Sequence, residues 1–118
     1  MAHVADVLTV YATGQFEAWH SWKDAPEEVS YLRVQHRHIF HWKVKIQVTH
    51  EDRDVEFITL KKYIQESIPN YSKEDNAGSC EQLCTNLKRT LANKYARKRF
   101  KISVSEDKEN GATLQGVL

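Results

Sequence analysis

The stretch His36-Arg37-His38-Ile39-Phe40-His41-Trp42-Lys43-Val44-Lys45-Ile46-Gln47-Val48-Thr49 decides the fold. Phe40, Trp42, Val44, Ile46 and Val48 form one apolar face, and Lys43, Lys45, Gln47 and Thr49 lie opposite. A period of two is the mark of a strand with one face in a core. The alternation runs from Arg33 to Thr49, and His50-Glu51-Asp52-Arg53 closes it as a polar turn.

On the N-terminal side, Val7 to His20 alternates as well. Leu8, Val10, Ala12, Gly14, Phe16, Ala18 and His20 share one face. Ser21 to Ser30, with Asp24, Pro26 and two glutamates, reads as a loop. On the C-terminal side the period changes. Phe57, Leu60, Ile64 and Ile68 repeat at three and four, so Val55 to Ile68 is a helix, ended by Pro69-Asn70. Tyr71 to Gly78 is a polar loop. Ser79 and Gln82 form a capping box, and Leu83, Leu87 and Leu91 stripe a second helix to about Ala96. Phe100, Ile102 and Val104 alternate in a third strand. Asn110-Gly111 is a turn signal before a returning strand, Ala112 to Leu118. The order β-β-α-α-β-β predicts an α+β fold, a four-stranded antiparallel sheet with two helices on one face. Residues 1–118 form a single domain without repeats or linkers.

With 41% hydrophobic and 28% charged residues, the chain has enough apolar surface to fold. Lys plus Arg number 17 against 16 Asp plus Glu, a net charge of +1 that gives no pull toward nucleic acid or membrane. The basic run Lys94 to Lys101 reads either as a helix C-terminus or as a patch for a phosphorylated ligand. Cys80 and Cys84 stand one helical turn apart, a poor disulfide pair. No signal sequence and no long apolar segment is evident, so the expectation is a reducing cytoplasmic compartment.

His36 and His38, two apart on a strand, send both imidazoles from one face. Zinc takes imidazole nitrogens at about 2.0–2.1 Å in a tetrahedral set. His20, at the end of the first strand, reaches the pair if the two strands are antiparallel neighbours. Three histidines leave the fourth position open, as in catalytic zinc sites. His41 faces the other way, His50 is a further candidate, and His3 lies at the terminus. Without a metal, an H-x-H pair is an ordinary strand feature.

The chain also resembles the 6-pyruvoyl-tetrahydropterin synthase family, which includes the 6-carboxy-tetrahydropterin synthase of the queuosine pathway. Phe16-Glu17-Ala18-Trp19-His20 is similar to the Phe-x-Ala-Ala-His that ends its first strand. His36-Arg37-His38-Ile39-Phe40 is similar to its His-Gly-His-x-Phe/Tyr. Glu56-Phe57-Ile58-Thr59-Leu60-Lys61 resembles its Asp-Phe-x-x-Leu-Lys helix start. Ser79-Cys80-Glu81-Gln82-Leu83-Cys84 resembles a second helix start, and Ser105-Glu106 stands where the family has a strand ending in Glu-Thr. The motifs run in order over residues 16 to 112.

The resemblance implies a tunnelling fold joined edge to edge in a homotrimer or homohexamer. It implies zinc on His20, His36 and His38, and a lyase acting on 7,8-dihydroneopterin triphosphate or a related pterin or purine-like compound. Glu106 would anchor the heterocycle through its amino and N–H edge, with Glu81 as a second contact. The departures are specific. Leu32 stands where the family has its catalytic cysteine, and no Asp-His motif follows the first helix. Proton transfer needs a base within hydrogen-bond reach. Asp24, Glu27 and Glu28 are the replacements offered by the loop before the metal strand, Glu27 and Glu28 above all. A divergent protein that binds or converts another such compound is the alternative.

Overall fold

The computed structural model describes residues 6–70 and 77–118. Strand β1 (Thr9–His20) pairs antiparallel with β2 (His36–Gln47), in register from Thr9 opposite Gln47 to His20 opposite His36. Helices α1 (Phe57–Ser67) and α2 (Cys80–Ala92) follow. Strand β3 (Arg99–Glu106) then pairs with β2, and β4 (Asn110–Val117) with β3, both antiparallel. The sheet order is β1-β2-β3-β4, which leaves β1 and β4 as edges.

The alternation of β2 translates directly into burial. Phe40, Trp42, Val44 and Ile46 are buried with Ala12 and Ala18 of β1 and Phe100, Ile102 and Val104 of β3. Leu60 and Ile64 of α1 and Leu83, Leu87 and Leu91 of α2 close the same core from one face. Each buried Leu or Ile stabilises by about 1.5–3 kcal/mol relative to exposure. Gly14 is required by this packing, because a Cβ there would lie 2.6 Å from Cε2 of the Trp42 indole. The other sheet face carries the polar partners and no helix core. Among the described residues no helix is long and apolar enough to cross a membrane.

Several boundaries differ from the sequence reading. The segment read as a loop to Ser30 ends in a 3-10 helix, Glu27–Arg33, and β2 begins at His36 rather than Arg33. Helix α1 begins at Phe57 because the Glu56 carboxylate caps it, accepting from the backbone N–H of Ile58 and Thr59. Helix α2 stops at Ala92, not near Ala96, so the basic run lies entirely beyond the helix. In that run Lys98 Nζ donates to Asp54 Oδ2 at 2.8 Å, tying the α2–β3 connection to the β2–α1 connection. Lys98 and a backbone hydrogen bond from Thr49 hold the Asp54 carboxyl down at about 2. Asn110-Gly111 is not the turn. Asp107 and Lys108, with φ of 54° and 63°, reverse the chain, and Asn110 and Gly111 start β4. The capping box of Ser79 and Gln82 is formed as expected. Of the expected loop Tyr71 to Gly78, only Ala77 and Gly78 lie within the described residues, and His3 lies outside them.

Candidate metal centre

Strand register brings the three histidines together. His20 sits directly opposite His36, and Ala18 sits opposite His38. All three side chains leave the helix-covered face at the end of the β1–β2 ribbon. Ring centroids are 4.5 Å apart for His20 and His36, 4.9 Å for His36 and His38, and 5.2 Å for His20 and His38.

The second nitrogen of each ring decides the chemistry. His20 Nδ1 lies 2.7 Å from the Gly78 carbonyl, and His36 Nδ1 lies 2.8 Å from the Val34 carbonyl. His38 Nδ1 lies 2.7 Å from Asp107 Oδ2. Carbonyls and carboxylates only accept, so each Nδ1 carries the hydrogen and donates it. In the neutral rings every Nε2 is then a bare lone pair. This is how metal-binding imidazoles are oriented, by an acceptor behind each ring. Asp107 also accepts from the Ile39 backbone N–H at 3.0 Å. The His38 contact and this bond hold its carboxyl below the usual range, so it stays an acceptor.

A carboxylate faces the same point. Glu106 Oε1 is 3.3 Å from His20 Nε2, and Oε2 is 3.5 Å from His38 Nε2. His20 is only 8% exposed, and its Nε2 has no hydrogen-bond partner among the described residues. Lone pairs that face a carboxylate at this range repel unless a cation lies between them, either a proton or a metal ion. His20, His36 and His38 form a group able to hold a metal ion, with one ligand atom from each within 4.8 Å of the others. Ligand atoms around a tetrahedral zinc stand about 3.3 Å apart, so the rings draw inward when an ion binds. The donor set therefore fits a metal.

His20 and His36 open onto a cleft of about 820 Å³ between the sheet and the start of α2. Glu106 and Glu81 both line it, as does Leu32. Glu106 is not a remote anchor, since it touches two of the three histidines. Glu27 and Glu28 are not brought there. Neither lines the cleft, and the Glu27 side chain is 90% exposed with Arg33 at 3.5 Å. Sitting on a short 3-10 helix, both point to solvent rather than to the ligands. Asp24 does not line the cleft either.

Two groups escaped the sequence reading. Asp107 supports His38 from the β3–β4 turn, and only its position next to Glu106 signalled it. Cys80, the first residue of α2, lines the cleft. Burial and then the Glu106 charge push its thiol up to about 12, so it stays protonated at neutral pH. Cys80 and Cys84 are both free. A comparison with protein-family models finds no match, and neither does a comparison with curated proteins.

Proposed function

We propose that the chain is a divergent zinc-dependent lyase of the 6-pyruvoyl/6-carboxy-tetrahydropterin synthase type, acting on a pterin-like or purine-like compound. The observation that carries this reading is the trio of imidazoles, each with Nδ1 donating to an acceptor and one ligand atom of each within 4.8 Å of the others. The β-β-α-α-β-β order and the motifs that bear the resemblance agree with it. A bound zinc would supply Lewis acidity toward hydroxyl or carbonyl oxygens of the compound. His20, His36 and His38 would hold it. Glu106 accepts an N–H of the heterocycle or takes up a proton at its carboxylate oxygens. The Cys80 thiol, in the wall of the cleft that also holds Leu32, keeps its proton and offers the cleft a neutral, weakly polar S–H rather than a thiolate. Asp107 fixes the His38 ring. The edges of β1 and β4 support assembly into a trimer or hexamer, which would cover them.

The experiment is zinc analysis of the purified chain, followed by turnover of 7,8-dihydroneopterin triphosphate by chromatography. About one zinc per chain and product formation lost in His36→Ala are expected. No metal after mild purification would overturn the reading.

Glu106 favours a second reading. A carboxylate 3.3 Å from His20 Nε2 is in place to be a fourth ligand, which closes the centre and makes it structural. Cobalt substitution separates the two. An open centre changes its visible spectrum when a small anion such as azide is added, and a closed one does not.

A further inference from the structure

A second cleft, of about 410 Å³, is lined mainly from the sheet face that carries Thr13, Gln15, His41 and Lys43, away from the histidine trio. Five elements contribute to it: β1 with Thr13 and Gln15, β2 with His41 and Lys43, α1 with Lys61, the β3–β4 turn with Lys108, and β3 with Ser103 and Ser105. Three ammonium groups and an imidazole thus converge on one concavity that no carboxylate lines. The chain as a whole is nearly neutral, at +1, so this is not a by-product of a basic composition.

The lysines have no carboxylate partner of their own. Among the described residues none of the three makes an ion pair, whereas Arg33, Arg37, Arg53 and Lys98 all do. Lys43 lies over the Tyr11 ring at 4.7 Å, which fixes its stem and leaves its N–H groups to donate. Two acids flank Lys108: Asp107 is committed to His38 and Ile39, and Glu109 neither lines the cleft nor makes an ion pair among the described residues. Lys108 sits at a φ of 63°. That backbone region favours Gly or Asn, and a lysine there costs stability that its own packing does not return. Like charges gathered without a counter-charge are likewise unfavourable unless an anion completes the site.

We infer that this cleft binds a phosphate-bearing small molecule. The chemistry selects phosphate over carboxylate. Three ammonium charges on one cleft match a multiply charged phosphate or diphosphate, which a lone carboxylate cannot neutralise, and lysine binds phosphate as a point charge. The Ser103 and Ser105 hydroxyls add donors. A volume of about 410 Å³ admits one small ligand.

The test is a titration of the 15N-labelled full chain with inorganic pyrophosphate, on wild type, on K43Q/K61Q/K108Q and on His36→Ala. Wild type and His36→Ala should give saturable amide shifts at Thr13, Gln15, Ser103 and Ser105. The triple variant should bind more than about tenfold more weakly. All three lysines are exposed, so folding should survive, and Lys43→Gln and Lys108→Gln singly carry the same test if it does not. Equal binding by wild type and the lysine variants overturns the inference. So do shifts confined to His20, His36 and Gly78, which would locate the anion at the metal centre. Tighter binding of a single-stranded oligonucleotide, with shifts spreading to Lys45 and Lys101, would replace the small-molecule site with a nucleic-acid face.

Discussion

His38 is held from behind by Asp107 and faces Glu106 in front, and this sandwich makes its neighbours separable by mutation. Asp107→Asn keeps the shape but can place an amide N–H against Nδ1. Zinc affinity should fall by about 10–100-fold, as when other such outer partners are removed; competition with a chromophoric chelator measures it. His36→Ala should abolish tight binding altogether, because one of three ligands is gone. Glu106→Gln is more informative. Loss of zinc affinity would mark the carboxylate as a ligand. Unchanged zinc with weaker neopterin binding, by about 1.5–3 kcal/mol in calorimetry, would mark it as the ring contact. The histidines were legible in the sequence because a strand repeats every two residues and fixes which side chains share a face. Asp107 and Cys80 were not, because they arrive from segments far along the chain and carry no spacing relative to His38.

At the level of elements, helix α2 was readable to its first residue, since Ser79 and Gln82 state the cap chemically. Ser79→Ala should cost about 1 kcal/mol in urea denaturation. Its end was overestimated because the polar residues after Ala92 have ordinary helix propensity, and the chain leaves the helix for tertiary reasons. The β3–β4 hairpin was misplaced for a related reason. Its turn uses Asp107 and Lys108 where Gly or Asn is usual, while the nearby Asn110-Gly111 mimics a turn. Gly111 instead lies in β4, where a Cβ would come within 2.6 Å of Ser105 Cα. Gly14→Ala in β1 tests the packing of the sheet directly. The added methyl must displace the Trp42 indole, and a loss of about 1–3 kcal/mol in denaturant unfolding is expected.

For the whole molecule, the Asp54–Lys98 pair gives stability a defined response to acid. The folded-state value of Asp54, about 2, lies below its ordinary 3.8. The pair's contribution is therefore full above the ordinary value and fades as pH falls toward 2. Thermal unfolding of Asp54→Asn should differ from wild type at pH 6 and converge with it near pH 2. Assembly belongs to this scale too: a monomeric mass at micromolar concentration would count against edge-to-edge pairing of β1 and β4. The element order and the antiparallel four-stranded sheet were legible, but strand order and register were not, and register alone decides that His20 meets His36. That register also bears on the time course of folding. All three histidines ride on one ribbon whose strands are close in sequence, whereas β2 must wait for β3 to return from beyond two helices. A short loop closes before a long one. If the trio holds zinc as proposed, the nascent ribbon would capture the ion weakly and grip it harder only when Gly78 and Asp107 arrive behind the rings. Refolding in zinc should then begin with an early metal-bound phase whose rate is indifferent to Asp107→Asn, and the ion itself becomes part of the nucleus around which the rest of the chain assembles.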